Sequence, residues 1–168
     1  MVIEKNLMTA ETKARLEKEL ERVIAEVAKA GQRMGDAFGP DCDWHDNAAA
    51  DFAVEEYKRI TAQESELRHK LHNVEIIKPR QETKDVGLGN TAVVKLGDFD
   101  EDETFTVLGP DDSSTGKSRG WISYESPIGQ TLLGMKIGET KKFQIGDYIQ
   151  TVTVKKILPG DFNNAGEN

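Results

Sequence analysis

The feature that most constrains this chain is a pair of seams within its first 74 residues. In each seam, mostly apolar residues recur at alternating steps of three and four, which is the spacing of a coiled coil. The first seam consists of Lys13, Leu16, Leu20, Val23, Val27, Ala30, Met34 and Ala37. The second consists of Ala50, Ala53, Tyr57, Ile60, Glu64, Leu67, Leu71 and Val74. Both stretches are rich in strong helix formers and are separated by Gly39-Pro40, so the sequence predicts two helices.

The two seams match each other as an antiparallel hairpin. In such a hairpin, opposed positions have a constant sum of residue numbers. That sum is 87 for 16 with 71, 20 with 67, 27 with 60, 30 with 57 and 34 with 53. The chain is then expected to fold back between Asp43 and Trp44. Helices of about thirty residues, at ~1.5 Å per residue, would make an arm about 45 Å long.

The region around the fold-back point is strongly acidic. Between Arg33 and Lys58 there is no Lys or Arg, but there are seven acids: Asp36, Asp41, Asp43, Asp46, Asp51, Glu55 and Glu56. The whole chain has a formal net charge of −8. Such a chain lacks a general phosphate-neutralising surface, so we expect no independent binding of nucleic acid. Any link to nucleic acid should run through another protein.

Composition also narrows the cellular setting. No apolar run approaches the roughly twenty residues that a membrane-spanning helix needs, so we expect no membrane association. The N-terminus lacks the basic start and apolar stretch of a secretory signal, which favours a cytoplasmic protein. The only cysteine, Cys42, excludes internal disulfides and zinc sites built on cysteine pairs.

After Pro79 the apolar period changes from helical spacing to alternation, which is typical of strands. Five strands are predicted: 91–96, 103–108, 121–124, 142–145 and 149–158. One short helix should begin at Pro127, with Ser126 as its N-cap and Gly134 as its terminator. The predicted fold class is therefore α+β, with an N-terminal helical hairpin followed by an antiparallel sheet with one short helix. The predicted divisions are 1–79 for the arm, 80–160 for the sheet domain and 161–168 for a disordered tail.

The candidate chemical constellation lies at the predicted tip. Asp43 and Asp46, three residues apart, fall on one side of a helical turn, and their oxygens could complete part of a Mg²⁺ shell. The same spacing also suits an ordinary helix start, with Asp43 as N-cap and both acids complementing the helix dipole. Spacing alone leaves both interpretations open.

Two motifs resemble the bacterial GreA/GreB family. Its tip motif Asp-x-x-Glu-Asn-Ala corresponds to Asp43-Trp44-His45-Asp46-Asn47-Ala48. Its Ser-Pro-Ile-x-x-x-Leu-x-Gly segment is similar to Ser126-Pro127-Ile128-Gly129-Gln130-Thr131-Leu132-Leu133-Gly134. The resemblance runs from about Leu7 to Leu158, with the motifs in the family order.

The resemblance implies a transcription elongation factor that binds RNA polymerase, as a monomer, and is not itself an enzyme. The arm would enter the secondary channel, and an FKBP-like domain would dock at the rim. Asp43 and Asp46 would be the catalytic carboxylates, sharing a Mg²⁺ with the polymerase to promote cleavage of backtracked RNA. No cofactor would be tightly bound, and the nascent RNA 3′ end would be met only within the complex. Candidate binding residues are Trp44, Asn47, Ser126, Pro127 and Ile128.

Departures from the family pattern keep two alternatives open. Asp46 stands where the family usually has Glu, and Ala49 and Ala50 stand where it usually has an acid and Tyr. The additional acids Asp41 and Asp51 make the predicted tip resemble that of inhibitory Gre-like paralogues. The first alternative is therefore a factor that occupies the channel without stimulating cleavage. A weaker alternative is a peptidyl-prolyl isomerase with a chaperone arm, for which the strands leave few aromatic residues to line a pocket.

Overall fold

The computed structural model describes residues 5–38, 48–97, 101–116 and 119–162. The chain divides into two compact units. Residues 13–74 form the first, here called the arm, and residues up to Thr12 combine with those from Glu75 onward to form the second, here called the sheet unit. The sequence-based division at residue 79 instead placed residues 5–12 and 75–79 with the arm.

The difference has a local cause. Strand β1 (Asn6–Met8) pairs with strand β2 (Val74–Ile76) in a two-stranded sheet. The Ile77 N–H donates to the Met8 carbonyl at 2.9 Å. Ile77 is itself buried against Leu108 and Trp121 of the sheet unit. Alternation of such short segments is too brief to reveal this pairing in the sequence.

The arm contains helix α1 (Ala10–Ala37) from Lys13 onward and helix α2 (Ala48–Leu71), as the two seams predict. Every seam position is buried or half-buried, including Lys13 and Glu64. The fully buried ones are Leu16, Val23, Ala30, Ala50, Ile60 and Leu67. The helices therefore pack through their seams.

Two places where α1 and α2 approach each other show their antiparallel register. The Arg33 guanidinium donates to both carboxylate oxygens of Glu56, at 3.0 Å from Nε and 2.9 Å from Nη2. A Cβ placed on Gly31 would lie 3.6 Å from Cε2 of Tyr57. Both contacts adjoin the predicted pairs 30 with 57 and 34 with 53. The antiparallel hairpin is confirmed.

The main sheet contains the five predicted strands, in the order β5-β4-β3-β7-β6. They are β3 (Thr91–Leu96), β4 (Asp102–Leu108), β5 (Trp121–Ser123), β6 (Thr140–Ile145) and β7 (Tyr148–Leu158). The prediction of an entirely antiparallel sheet is wrong, because β4 and β5 run parallel, with Thr106 opposite Trp121. A parallel pair needs a crossover connection, and helix α3 (Pro110–Thr115) supplies it. The sheet unit thus has a second short helix besides α4 (Pro127–Leu132).

One face of the sheet forms the core of the sheet unit. Ala92 and Val94 of β3 and Val152 and Val154 of β7 alternate with more exposed neighbours, and each of the four is 0% exposed. They cluster with Leu132 and Met135, which come from the end of α4 and the segment after it. This packing holds α4 against the sheet.

A buried carboxylate ties the start of α1 to α3. Asp112 is 0% exposed, and it accepts hydrogen bonds from the Thr9 N–H at 3.1 Å, the Thr9 hydroxyl at 2.7 Å and the Gly109 N–H at 3.1 Å. The Thr9 hydroxyl in turn accepts from the Thr12 N–H, which makes Thr9 the N-cap of α1. All of these bonds lie within the sheet unit, to which residues up to Thr12 belong.

A second network organises the segment that leads into β3. The amide of Asn90, which is 0% exposed, donates to the carbonyls of Arg80 and Glu82 at 3.0 Å. The Arg80 guanidinium donates to Asp85 at 2.8 Å, and this bond is the main cause that raises the pKa of Arg80. Arg80 is accordingly a permanent cation that closes this loop.

Among the residues described, no helix combines the length and the apolar character needed to cross a membrane.

Candidate functional site

The candidate site lies where the two helices of the arm are joined. Helix α1 ends at Ala37 and α2 begins at Ala48, so the connecting residues include Asp43 to Asn47 of the predicted tip motif, and Ala48 begins α2. Asp43, Trp44, Asp46 and Asn47 lie outside the described residues. Their roles as metal ligands and binding residues stay predictions.

The described residues on either side of this connection are acidic and exposed. Asp36 near the end of α1 and Asp51 in the first turn of α2 are both exposed. Glu55 is paired with Lys58 at 3.0 Å, and both side chains are largely exposed. Cations are therefore attracted to this end of the arm, although salt will screen exposed charges.

The seams do not account for one feature of this region, an open groove between the two helices. Its floor and walls are Ala37 of α1 and Ala49, Phe52 and Ala53 of α2, and the Arg33–Glu56 ion pair also lines it. Phe52 is 77% exposed. Sequence reasoning missed this residue because it falls between the seam positions, although an off-seam aromatic residue in an acidic segment is a usable signal.

The second predicted motif begins α4. Ser126 caps the helix as predicted, since its hydroxyl oxygen accepts from the Gly129 N–H at 3.1 Å while the hydroxyl donates to the Ser123 carbonyl at 2.6 Å. Gly134 has a φ of +77°, the left-handed conformation that suits a helix terminator. The predicted helix is confirmed.

The three binding candidates in this motif differ in accessibility. Pro127 is exposed, Ser126 is half-buried, and Ile128 is partly buried against the core of the sheet unit. Ser126 and Ile128 thus have clear structural duties, whereas the ring of Pro127 is presented to solvent. Their part in binding a partner stays a prediction.

The chemistry available at the distal end of the arm is that of carboxylates. Within the described ranges, no group of three or more His, Cys, Asp and Glu side chains is arranged to hold a metal ion. Carboxylate oxygens are nevertheless the ligands that Mg²⁺ prefers, and this ion commonly keeps several waters or takes ligands from another molecule. The predicted pair Asp43 and Asp46 fits a shared Mg²⁺ by donor type.

Comparisons with known proteins agree with the motif resemblance. A family profile described as "Transcription elongation factor, GreA/GreB, C-term" matches residues 81–159. The transcription elongation factor GreA of Streptococcus pneumoniae is 30% identical over 160 residues, covering 89% of this chain and 94% of that protein. GreA of Thermotoga petrophila is 28% identical over 158 residues, covering 90% and 96% respectively.

A solved structure, that of GreA factor homolog 1 (Gfh1) of Thermus thermophilus, is 24% identical, with a TM-score of 0.42. It covers 92% of this chain and 99% of its own. The family assignment is carried by the identity to GreA over nearly the full length of both proteins. The chain belongs to the GreA/GreB family of transcription elongation factors.

Proposed function

We propose that this protein binds RNA polymerase with its arm in the secondary channel and stimulates cleavage of backtracked nascent RNA. Asp43 and Asp46 would reach the polymerase's own acidic centre from the end of the arm. The observation that carries the proposal is the hairpin itself. Its antiparallel register, in which Arg33 pairs with Glu56, brings the end of α1 close to the start of α2.

The length of the arm is sufficient for such a role. Helix α1 has 28 residues, which at ~1.5 Å per residue corresponds to about 42 Å. The described acids Asp36 and Asp51 flank the tip segment in the sequence, and no described Lys or Arg lies between Arg33 and Lys58. A divalent cation is therefore favoured there over a phosphate group.

The protein's contribution to the reaction would be ligands and position rather than a complete active site. When bound between the factor and the polymerase, a second Mg²⁺ would complete a two-metal site, in which one ion supplies the attacking water and the other stabilises the leaving oxygen of the RNA phosphodiester. Asp43 and Asp46 would hold their carboxylates toward that ion, and Asn47 would support the tip. GreA/GreB factors are not enzymes by themselves, and the hydrolysis would be carried out by the polymerase.

The sheet unit would dock at the channel rim and leave the arm to enter. Pro127 is the most accessible of the motif residues that we assign to this contact. Ser126 and Ile128 would act mainly by holding the start of α4 in shape. The arm and the sheet unit would thus divide reach and anchoring between them.

A specific observation favours inhibition as a second candidate function. Asp46 is one methylene shorter than the usual family Glu. Ala50, at the position of the usual Tyr, is 3% exposed and belongs to the seam, so it adds nothing to the tip surface. A tip with shorter reach and fewer polar groups could occupy the channel without completing the metal site.

The isomerase alternative finds little support. Trp121 and Phe143 are each 5% exposed, and Phe105 and Tyr124 pack against the core of the sheet unit. These aromatic side chains are used for folding and are not free to line a proline pocket.

An RNA-cleavage assay on stalled RNA polymerase tests the proposal. The wild-type protein should bind and accelerate cleavage, and Asp46→Glu should accelerate it further if side-chain reach is limiting. If both proteins bind but suppress RNA synthesis in competition with an authentic Gre factor, the protein is an inhibitor. If neither binds, the assignment of a polymerase partner fails.

A further inference from the structure

We propose that the groove around Phe52 is a docking surface for an apolar side chain on the wall of the polymerase channel, flanked there by basic residues. This inference rests on the proposed function and adds a contact that is independent of the tip carboxylates. It assigns Phe52 a role in affinity, whereas Asp43 and Asp46 are assigned to cleavage.

Phe52 lies on α2 outside the seam that packs against α1. The seam of α2 uses Ala50, Ala53 and Tyr57, so the hairpin does not require an apolar residue at position 52. Phe52 is 77% exposed, and Phe has a lower helix propensity than the Ala residues around it. Within the described part of the hairpin, neither the packing of the seams nor local helix stability explains an aromatic residue at position 52.

The groove beside Phe52 has a shape that suits a protruding side chain. Residues 49, 52, 53 and 56 form one stripe on α2, and Arg33 and Ala37 form the facing stripe on α1. The small side chains Ala37, Ala49 and Ala53 leave an open groove of about 520 Å³ beside the phenyl ring. A protruding apolar side chain fits such a groove, and an exposed aromatic residue next to a recess is typical of a binding anchor.

The negative charge near the groove indicates what kind of molecule binds there. Asp36 and Asp51 adjoin the lining residues Ala37 and Phe52 in sequence, and both are exposed. The excess of exposed acids at this end of the arm repels nucleic-acid phosphates and favours a protein surface with basic residues. It also disfavours a second copy of this chain, because two acidic ends would meet.

Substitution of Phe52 tests the proposal. Phe52→Ser should weaken the affinity for core RNA polymerase about tenfold, as removal of an interface anchor does. Phe52→Leu keeps an apolar side chain and should bind within about threefold of wild type. Ile24→Ala is the matched control, because Ile24 is an exposed apolar residue of the same helix pair, 41% exposed and outside the groove. Its affinity should equal that of wild type.

The readouts are equilibrium binding to core polymerase, thermal unfolding by circular dichroism and sedimentation of the free protein. Unchanged affinity of Phe52→Ser, with wild-type binding intact, overturns this inference and leaves the proposed function standing. A lowered unfolding temperature shows that Phe52 packs within its own chain, and altered sedimentation shows that its partner is a second copy, so either result overturns the proposal. If wild type fails to bind polymerase, the proposed function falls as well.

Discussion

Replacing Leu67 with Ala should loosen the arm by roughly 2 to 4 kcal/mol. Leu67 is 5% exposed, so nearly its whole side chain is removed from water in the folded hairpin. Truncation to Ala removes three buried carbons, one methine and two methyls, which at ~0.8 kcal/mol per group gives about 2.4 kcal/mol before any cavity is counted. The facing seam residue Leu20 is only half-buried and can relax, which places the expected value in the lower half of the range.

Urea unfolding followed by circular dichroism at 222 nm measures this change, because α1 and α2 contain most of the described helical residues. Ser65→Ala is the control, since Ser65 is an exposed neighbour on the same helix and its replacement should leave stability nearly unchanged. A loss below about half a kcal/mol for Leu67→Ala would refute the packing of the seams, because a buried Leu cannot be truncated at so small a cost.

Three further predictions concern the contacts that hold each unit together. Asp112→Ala should destabilise the sheet unit by about 3 kcal/mol or more, because three buried donors lose their acceptor. Urea unfolding followed through the NMR signals of the sheet measures this loss. A variant as stable as wild type would contradict the prediction. A double-mutant cycle on Arg33 and Glu56 should give a coupling energy of at most about 1 kcal/mol, because the side chains are 51% and 39% exposed. The absence of any coupling at low salt would argue against the antiparallel register of α1 and α2. A fragment beginning at Glu75 should show dispersed amide NMR signals. It should also be more stable than a fragment beginning at Lys84, which lacks the contacts made by residues 75–83. Equal stability of the two fragments would show that those contacts are unimportant.

The helices and strands could be predicted because their signals are repeated many times along the chain. The seam of α1 has eight positions that agree with one period, and β3 has the predicted bounds, 91–96, because the segment is bounded by the turn-forming residues Asn90 and Gly97. The N-cap Ser126 was predictable because Ser followed by Pro at the first helical position is a local signal. Each of these features is determined by residues close to one another in sequence.

The rest depends on contacts between distant residues. The pairing of Thr9 with Asp112 spans 103 residues and leaves no periodic pattern. The parallel pair of β4 and β5 depends on α3, whose six residues are too few to show helical periodicity. In the candidate site, the carboxylates Asp43 and Asp46 could be predicted from a sequence motif. The groove around Phe52 could not be predicted, because it forms only where the two helices pack together.

The most direct test of the central claim measures polymerase affinity and RNA cleavage in parallel for wild type and for Asp43→Ala/Asp46→Ala. The account predicts that wild type accelerates cleavage in stalled complexes. The double variant should bind within about threefold of wild type, because the arm and the sheet unit remain, and should leave cleavage at the polymerase's intrinsic rate through loss of metal ligands. A double variant that accelerates cleavage as well as wild type would contradict the assignment of these carboxylates.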